Sequence, residues 1–203
     1  MDERRFLLES PTFTTREFAF EVEVGVSSAS RKLHQLASRG TITLVTRGIW
    51  AQPHHPRFTP YGLVPHILGK EAGYVSFLSA LHRHGVISQI PQIIQVASTG
   101  HGRRLNTPVA GFEIFQLKPE MMMQGVEWFE GKPGYGLASA EKALLDCLYL
   151  STRKGNRFNK FPEMDLGSIR SRVFKRMLRD QVSSQSIRNA VAQRFDDLGI
   201  IKK

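Results

Sequence analysis

The stretch QPHHPRFTPYGLVP, residues 52–65, carries four prolines and constrains the fold more than any other feature of the sequence. Proline fixes the backbone φ angle and lacks an amide hydrogen, so it interrupts a helix interior and is excluded from a central strand. The stretch therefore predicts a linker, and the composition differs on its two sides. We expect a smaller unit, residues 1–55, followed by a larger unit, residues 56–203.

The length and composition favour a cytoplasmic protein. With 203 residues, of which 41% are hydrophobic, the chain can build one ordinary core or two modest ones. No apolar run approaches the length of a membrane span, and MDERRFLLESP is not typical of a secretory signal. The single cysteine, Cys147, cannot form an internal disulfide, which fits a reducing cytosol. We expect no membrane contact.

The formal net charge of +10 favours an anionic partner. Nucleic acid is the usual partner of such a chain and the one that the charge favours, and the alternatives are an anionic membrane surface or a simple gain in solubility. The placement of the basic residues must decide among these alternatives.

Residues 12–40, TFTTREFAFEVEVGVSSASRKLHQLASRG, predict a helix, a tight turn and a second helix. Thr14 or Thr15 is predicted to cap the first helix, and Ser27 or Ser28 the second. Gly25 supplies the permissive backbone that a short turn requires.

The second helix has one apolar and one polar face. Its apolar residues recur at the spacing of a single buried stripe: Ala29, Leu33, Leu36 and Ala37. The opposite face contains no acidic residue, although a solvated helix usually mixes charge signs because acid–base pairs stabilise it. This face and its flanks therefore predict a DNA-contact set, completed by the arginine of the following turn: Ser27, Ser28, Arg31, Lys32, His34, Gln35, Arg39 and Arg47.

A two-stranded ribbon is predicted after this helix. Gly40 ends the helix, and the residues that follow alternate, with Ile42 and Leu44 on one side. Residues 49–51 repeat the alternation, and Arg47 lies in the turn between the two strands. Helix, turn, helix and a ribbon tipped by arginine is the element order of a winged helix-turn-helix.

The chemistry of the predicted contact set suits double-stranded DNA. The major groove admits one helix, whose amino-terminal residues reach the base edges. Arg31 can address a guanine edge and Gln35 an adenine edge, while Arg47 can enter the minor groove or grip the backbone. The residues assigned to phosphates are Ser27, Ser28, Lys32 and Arg39. A helical hairpin used only for protein contacts is the alternative.

The larger unit predicts a small mixed sheet accompanied by helices, so the whole chain is assigned to the α+β class. A helix is predicted near residues 74–84, strands between about 93 and 130, and further helices near 139–152 and 166–197. Ser139 caps the best-marked helix, in which Lys142 and Asp146 are four residues apart and can pair.

Basic residues concentrate late in the chain. Between Arg153 and Arg179 there are nine lysines and arginines against two acids, and Arg103 and Arg104 are predicted to lie in a loop. Such a run is either a solvated helix face or a surface for phosphates or an acidic partner. The candidate antitoxin or phosphate-contact surface is Arg103, Arg104, Arg153, Lys154, Arg157, Arg172, Lys175 and Arg176.

Catalysis, metal binding and cofactor binding are not expected. His82 and His84 are two residues apart, so they do not share a helix face, and His54 and His55 lie among prolines without carboxylates or cysteines at ligand spacing. Cys147 lies on the apolar side of its helix and is predicted to be a core residue. No phosphate-binding loop, dinucleotide fingerprint or nucleophile elbow is present.

Three segments in a fixed order carry a family resemblance: RGTITLVTRGIWA, YVSFLSALHRHG and AEKALLDCLYL. With them the chain, from about residue 14 to 152, resembles the AbiEi family of type IV antitoxins. The resemblance implies a winged helix-turn-helix that binds promoter repeats to repress its own operon. It also implies an antitoxin domain that counters a cognate nucleotidyltransferase-like toxin, for which a stable complex is not required.

Two other functions are compatible with the sequence. The first is a solitary winged-helix transcriptional regulator whose second domain senses a ligand or mediates assembly. The second is a protein–protein adaptor that binds no DNA. A neighbouring nucleotidyltransferase gene favours the antitoxin, and its absence favours the regulator.

Overall fold

The computed structural model describes residues 2–122, 124–131, 133–153 and 157–200. Within these ranges the chain forms eight α-helices and two β-sheets, which assigns it to the α+β class as predicted. The amino-terminal elements are α1 (Glu3–Glu9), β1 (Thr12–Thr14), α2 (Thr15–Glu21), α3 (Val26–Ser38), β2 (Thr43–Thr46) and β3 (Ile49–Ala51). The strands form an antiparallel sheet in the order β1-β3-β2.

Side-chain caps explain where α2 begins but not where α3 begins. The Thr14 hydroxyl accepts a hydrogen bond from the Glu17 amide, and the Glu17 carboxylate accepts one from the Thr14 amide, which confirms the predicted cap. The prediction that Ser27 or Ser28 caps α3 is wrong. Gly25 takes the cap position with no side-chain hydrogen bond. The helix starts at Val26, so both serines lie inside its first turn.

Aromatic rings build the small core beneath these helices. The Phe6 ring packs edge-on against Phe13 and Phe18, with ring centroids 5.0 and 5.4 Å apart. Leu33 of α3 is fully buried in the same cluster, as the periodicity predicts. The Trp50 indole N–H donates to the Thr15 hydroxyl over 2.9 Å, so the buried ring keeps its polar group satisfied.

The β2–β3 hairpin corrects one predicted face. Leu44 was expected on the same side as the buried Ile42, yet Leu44 is exposed and Val45 is buried instead. Ile42 precedes β2, which begins at Thr43, so the two-residue alternation of a strand does not relate its face to that of Leu44. The pairing of β2 with β3 also shifts register between Leu44 and Thr46, where Val45 lies.

The proline-rich stretch is partly helical, which differs from the predicted linker. Pro60 opens a 3₁₀ turn, Pro60–Leu63, and Pro65 lies in the first turn of α4 (Val64–Leu68). Proline is tolerated at both places because the first amides of a helix have no intrahelical acceptor. The Thr12 hydroxyl donates to the Gly62 carbonyl over 3.2 Å, so this stretch packs on the amino-terminal sheet.

The remaining elements form a mixed sheet covered by helices. They are β4 (Gly73–Val75), α5 (Phe77–Arg83), β5 (Ile93–Ser98), β6 (Arg103–Asn106), β7 (Gly111–Gln116), β8 (Val126–Phe129), β9 (Tyr135–Ala138), α6 (Ala140–Ser151), α7 (Ser171–Gln181) and α8 (Gln185–Ile200). Two further 3₁₀ turns are Pro119–Met122 and Leu166–Ser168. The strand order is β6-β7-β5-β4-β9-β8, with β5–β7 and β4–β9 parallel and the other pairs antiparallel.

Three predicted elements of this region differ in the structure. Residues 73–75 form a strand, so the helix predicted near 74–84 begins at Phe77. Arg103 and Arg104, predicted in a loop, lie on β6. The helix predicted near 166–197 is divided into α7 and α8.

Helix α6 lies at the centre of the larger core. It begins after its Ser139 cap, as predicted, and it is buried along almost its whole length by α5, α7 and α8. Val45 and Ala51 of the amino-terminal sheet also join this core, so the two parts of the chain share packed surface. No helix in the described ranges is long and apolar enough to cross a bilayer.

Candidate nucleic-acid interface and a second basic pocket

The outward face of α3 presents the central residues of the predicted DNA-contact set. Arg31 and Gln35 are one turn apart, both exposed, and therefore neighbours on one face. Ser27 and Ser28 are exposed in the first turn, where free amide hydrogens and the helix dipole favour an anion. This end of α3 therefore combines hydrogen-bond donors with one guanidinium.

A groove of about 950 Å³ runs between α3, the start of α2 and the β2–β3 hairpin. It brings together His34 of α3 and Arg47 of the hairpin turn, both members of the predicted set. It also includes Arg16 and Ser30, which the sequence reasoning missed. Arg16 could have been identified from the sequence, because it lies two residues after the predicted cap Thr14, in the first turn of α2.

His34 and Lys32 are also held by contacts within the protein. The His34 ring packs edge-on against Trp50, with ring centroids 5.1 Å apart, so it forms one wall of the groove. Lys32 forms an ion pair with Glu3 of α1, which directs its ammonium towards a carboxylate. Arg39 is exposed at the end of α3. The eight predicted DNA-contact residues therefore lie in three places: the exposed face of α3, the groove with His34 and Arg47, and the flanks of the helix with Lys32 and Arg39.

A second basic pocket lies at the β6 edge of the large sheet, with a volume of about 440 Å³. Four residues of the predicted phosphate-contact surface line it: Arg103, Arg104, Arg153 and Arg157. Arg104 lies opposite Glu113 in the register of β6 and β7, which brings the two side chains to the same face. The same Glu113 oxygen, Oε1, accepts from Arg104 Nε and Arg157 Nη1, each over 2.9 Å.

The other members of that predicted surface lie elsewhere. Arg172, Lys175 and Arg176 are exposed on α7 and do not line this pocket, so the eight residues do not form one surface. Lys154 lies outside the described residues. The physical reason is that α7 packs on α6, whereas the pocket is formed around β6 and β7.

Acids from other elements neutralise part of the basic segment. Beyond Arg157, this holds for Arg170 beside Glu141 and Lys175 beside Asp196, while Arg179 pairs with Asp180 of its own helix. The count of nine cations against two acids within the segment therefore overstates its local positive charge. Only the fold reveals the pairs of Arg157, Arg170 and Lys175, because Glu113 and Glu141 precede the segment in the sequence and Asp196 follows it.

The predicted pair of Lys142 and Asp146 is confirmed, and it is fully buried. The second Asp146 oxygen accepts hydrogen bonds from the hydroxyls of Tyr74, over 3.0 Å, and Ser76, over 2.7 Å. Burial lowers the pKa of Lys142 and raises that of Asp146, and their mutual attraction opposes both shifts. The cluster gives α6 an internal polar contact with β4.

Cys147 is a core residue, as predicted. It is fully buried, and burial followed by the nearby Asp146 carboxylate raises the pKa of its thiol well above the usual value. A thiol of this kind stays protonated at neutral pH, which makes it a poor nucleophile. Within the described ranges, no group of three or more histidine, cysteine, aspartate or glutamate side chains is arranged to hold a metal ion.

No family model matches the sequence, and a search of curated proteins finds none that is significantly similar to it.

Proposed function

We propose that the amino-terminal elements form a winged helix-turn-helix that binds double-stranded promoter DNA, with α3 as the recognition helix. The proposal rests on the exposed face of α3, which has no acidic residue, and on the groove beside it, which is lined by Arg16 and Arg47. A helix of this kind fits the major groove, and cations beside it suit the phosphate backbone. Arg31 and Gln35 are the base-reading residues, since their side chains match guanine and adenine edges.

We further propose that the whole chain is a cytoplasmic antitoxin of the type IV class that represses its own operon and counters a nucleotidyltransferase-like toxin. The support is the resemblance to the AbiEi family in three ordered segments. Two of these supply α5 and α6, which pack together in the large core. The resemblance therefore concerns residues that build the domain, and the residues that act on the toxin belong to its surface.

A solitary transcription regulator with a ligand-sensing domain is the second candidate. The arginine-lined pocket at β6 favours it, because a recess of about 440 Å³ is within the size range of small-molecule sites. This function shares the DNA-binding proposal and differs only in what the second part of the chain does.

Promoter binding by the double variant Arg31→Ala with Gln35→Ala tests the DNA proposal. We expect at least a tenfold loss of affinity for the chain's own promoter fragment, because each base contact contributes about 1–3 kcal/mol. Arg176→Ala on α7 is the control, since it removes the same single charge from an exposed site away from α3. Unchanged affinity in the double variant would show that α3 does not read the DNA.

Salt dependence separates DNA binding from a protein–protein adaptor. Binding to phosphates releases counterions, so the affinity of the native chain must fall steeply as salt is raised. An adaptor with this net charge would bind the promoter fragment no better than an unrelated fragment of the same length, and only at low salt.

Co-expression with the neighbouring gene product tests the antitoxin proposal, with growth as the measurement. The native chain and the folded Arg31→Ala, Gln35→Ala variant should both restore growth, while the variant loses repression. Failure of the native chain to restore growth would contradict the antitoxin proposal and favour the regulator.

A further inference from the structure

We propose that the pocket formed by Arg104, Arg153, Arg157 and Glu113 binds a compact phosphorylated ligand, either a mononucleotide or free phosphate. This site is separate from the proposed DNA interface, because its residues come from β6, β7 and the end of α6 and beyond. The inference rests on the geometry of the pocket and stands whether or not the chain is an antitoxin.

The guanidiniums are held in position before any ligand arrives. Glu113 is almost fully buried and accepts from both Arg104 and Arg157, so one carboxylate holds two cations side by side. The Arg157 guanidinium also lies over the Phe115 ring, 5.0 Å from its centroid. Phe115 packs in turn against Phe158, which gives this side of the pocket a rigid aromatic base.

Arg153 approaches from the carboxyl end of α6. Its guanidinium lies over the ring of Tyr149, 5.6 Å from the centroid, and the structure gives it no carboxylate partner within the described ranges. A guanidinium over a ring face keeps its in-plane donors available for an anion.

Most guanidinium N–H donors in the pocket have no partner among the described residues. Each guanidinium has five N–H donors, yet within the described ranges Arg104 uses only Nε and Nη2 towards Glu113, and Arg157 uses only Nη1. The Arg104 and Arg157 side chains are 69% and 59% exposed, so their remaining donors can reach a ligand from solvent. Paired guanidinium donors match the geometry of phosphate oxygens.

The charge and the size of the pocket favour a phosphate group on a small molecule. Three guanidiniums and one carboxylate leave a local charge of two positive units, since the fourth arginine of the lining, Arg103, pairs with Glu71. A phosphate monoester carries a charge of about −1.5 to −2 at pH 7, which balances it. A recess of about 440 Å³ encloses a compact ligand, whereas nucleic-acid strands are bound along extended grooves.

Calorimetric titration of the full chain tests this proposal, with inorganic phosphate, AMP and ATP as separate ligands at constant ionic strength. The informative variant is Arg153→Gln, because no described ion pair is lost with it. We expect its affinity to fall about tenfold or more, as for the loss of one charge-assisted contact. Arg104→Gln should weaken binding similarly. Arg83→Gln removes the same charge from the exposed end of α5, outside the pocket, and should bind like the native chain.

The ligand series identifies the source of the phosphate. Tighter binding of AMP or ATP than of inorganic phosphate would assign the pocket to a nucleotide, and equal binding would assign it to free phosphate. The proposal is wrong if none of the three ligands binds, or if Arg83→Gln weakens binding as much as Arg153→Gln does. It is also wrong if a short single-stranded RNA binds there while the small ligands do not.

Promoter binding is measured on the same preparations. The Arg153→Gln variant should retain native affinity for promoter DNA, because α3 and the β2–β3 hairpin are unchanged. If the native chain binds the promoter but none of the phosphate ligands, the pocket proposal has failed. If it binds a phosphate ligand but not the promoter, the DNA proposal has failed.

Discussion

Substitution of Asp146 by asparagine should destabilise the chain strongly at neutral pH. Asp146 and Lys142 are both fully buried, and the carboxylate also accepts from the Tyr74 and Ser76 hydroxyls. Asparagine keeps the shape and one acceptor oxygen but removes the negative charge, which leaves the Lys142 ammonium unpaired in the core. Breaking a buried ion pair in this way costs about 3–5 kcal/mol, which is a large part of the ~5–15 kcal/mol that stabilises most domains.

The pH dependence of that loss provides a second measurement. Burial lowers the pKa of Lys142, and the Asp146 carboxylate opposes this shift, so the asparagine variant lowers the pKa further. The unfolded lysine titrates near ~10.4, so the unfolded state of the variant binds more protons than the folded state as the pH approaches that value. The stability of the variant relative to the native chain should therefore recover as the pH rises from 7 towards 10.

Urea unfolding followed by circular dichroism measures both effects, with two controls. Lys142→Met combined with Asp146→Asn leaves no buried charge, so this double variant should be more stable than Asp146→Asn alone. Arg5→Gln breaks an exposed pair with Glu9 at the same four-residue spacing and should cost less than about 1 kcal/mol. A loss below ~1 kcal/mol in Asp146→Asn, or a double variant no more stable than the single one, would refute the reasoning.

Three further predictions concern single contacts. Thr14→Ala removes the cap of α2 and should lower the free energy of unfolding by ~1 kcal/mol, measured by urea denaturation; an unchanged midpoint would contradict it. Arg170→Gln should lower the melting temperature most at neutral pH and least below about pH 4, in a series of thermal melts. A larger effect at low pH than at neutral pH would contradict the pair of Arg170 with Glu141. Burial alone would raise the pKa of Glu141, but hydrogen bonds, first from the Arg170 side chain, lower it overall, so their stabilisation is lost on acidification. Gly125→Ala should cost roughly 1–3 kcal/mol because the backbone φ is +80° and a Cβ would lie 2.8 Å from Met177; a variant as stable as the native chain would show that the site relaxes freely.

Separate DNA and phosphate sites would give the chain two inputs with different chemistry. The proposed DNA interface combines base-reading side chains with flanking cations, whereas the pocket holds its guanidiniums around a buried carboxylate. Val45 and Ala51 join the amino-terminal sheet to the large core, so the two regions are connected by packed side chains.

Local sequence patterns predicted many elements correctly. The cap at Thr14, the cap at Ser139 and the buried face of α3 around Leu33 all depend on residues within one or two helical turns. Such patterns are legible in the sequence because hydrogen bonds of a helix end and the 3.6-residue repeat involve near neighbours. The exposed positions of Arg31 and Gln35 follow from the same repeat.

Positions near a register change could not be predicted in this way. The face of Leu44 was wrong because Ile42 lies outside β2, and the start of that strand and its irregular pairing beside Leu44 depend on the partner strand. The proline-rich stretch was expected to be a linker, yet two of its four prolines, Pro60 and Pro65, occupy helix starts in a segment that packs on the amino-terminal sheet.

The sequence by itself determined the α+β class, most of the helices, the acid-free face of α3 and the presence of surplus positive charge. Only the tertiary structure decided which charges meet: Arg104 and Arg157 at Glu113, and Arg170 at Glu141. These partners are distant along the chain, and their contact depends on strand order, register and helix packing. Charges in a protein attract each other strongly only when they are close in space. The sequence therefore shows which charged residues are present, and the fold determines which of them pair.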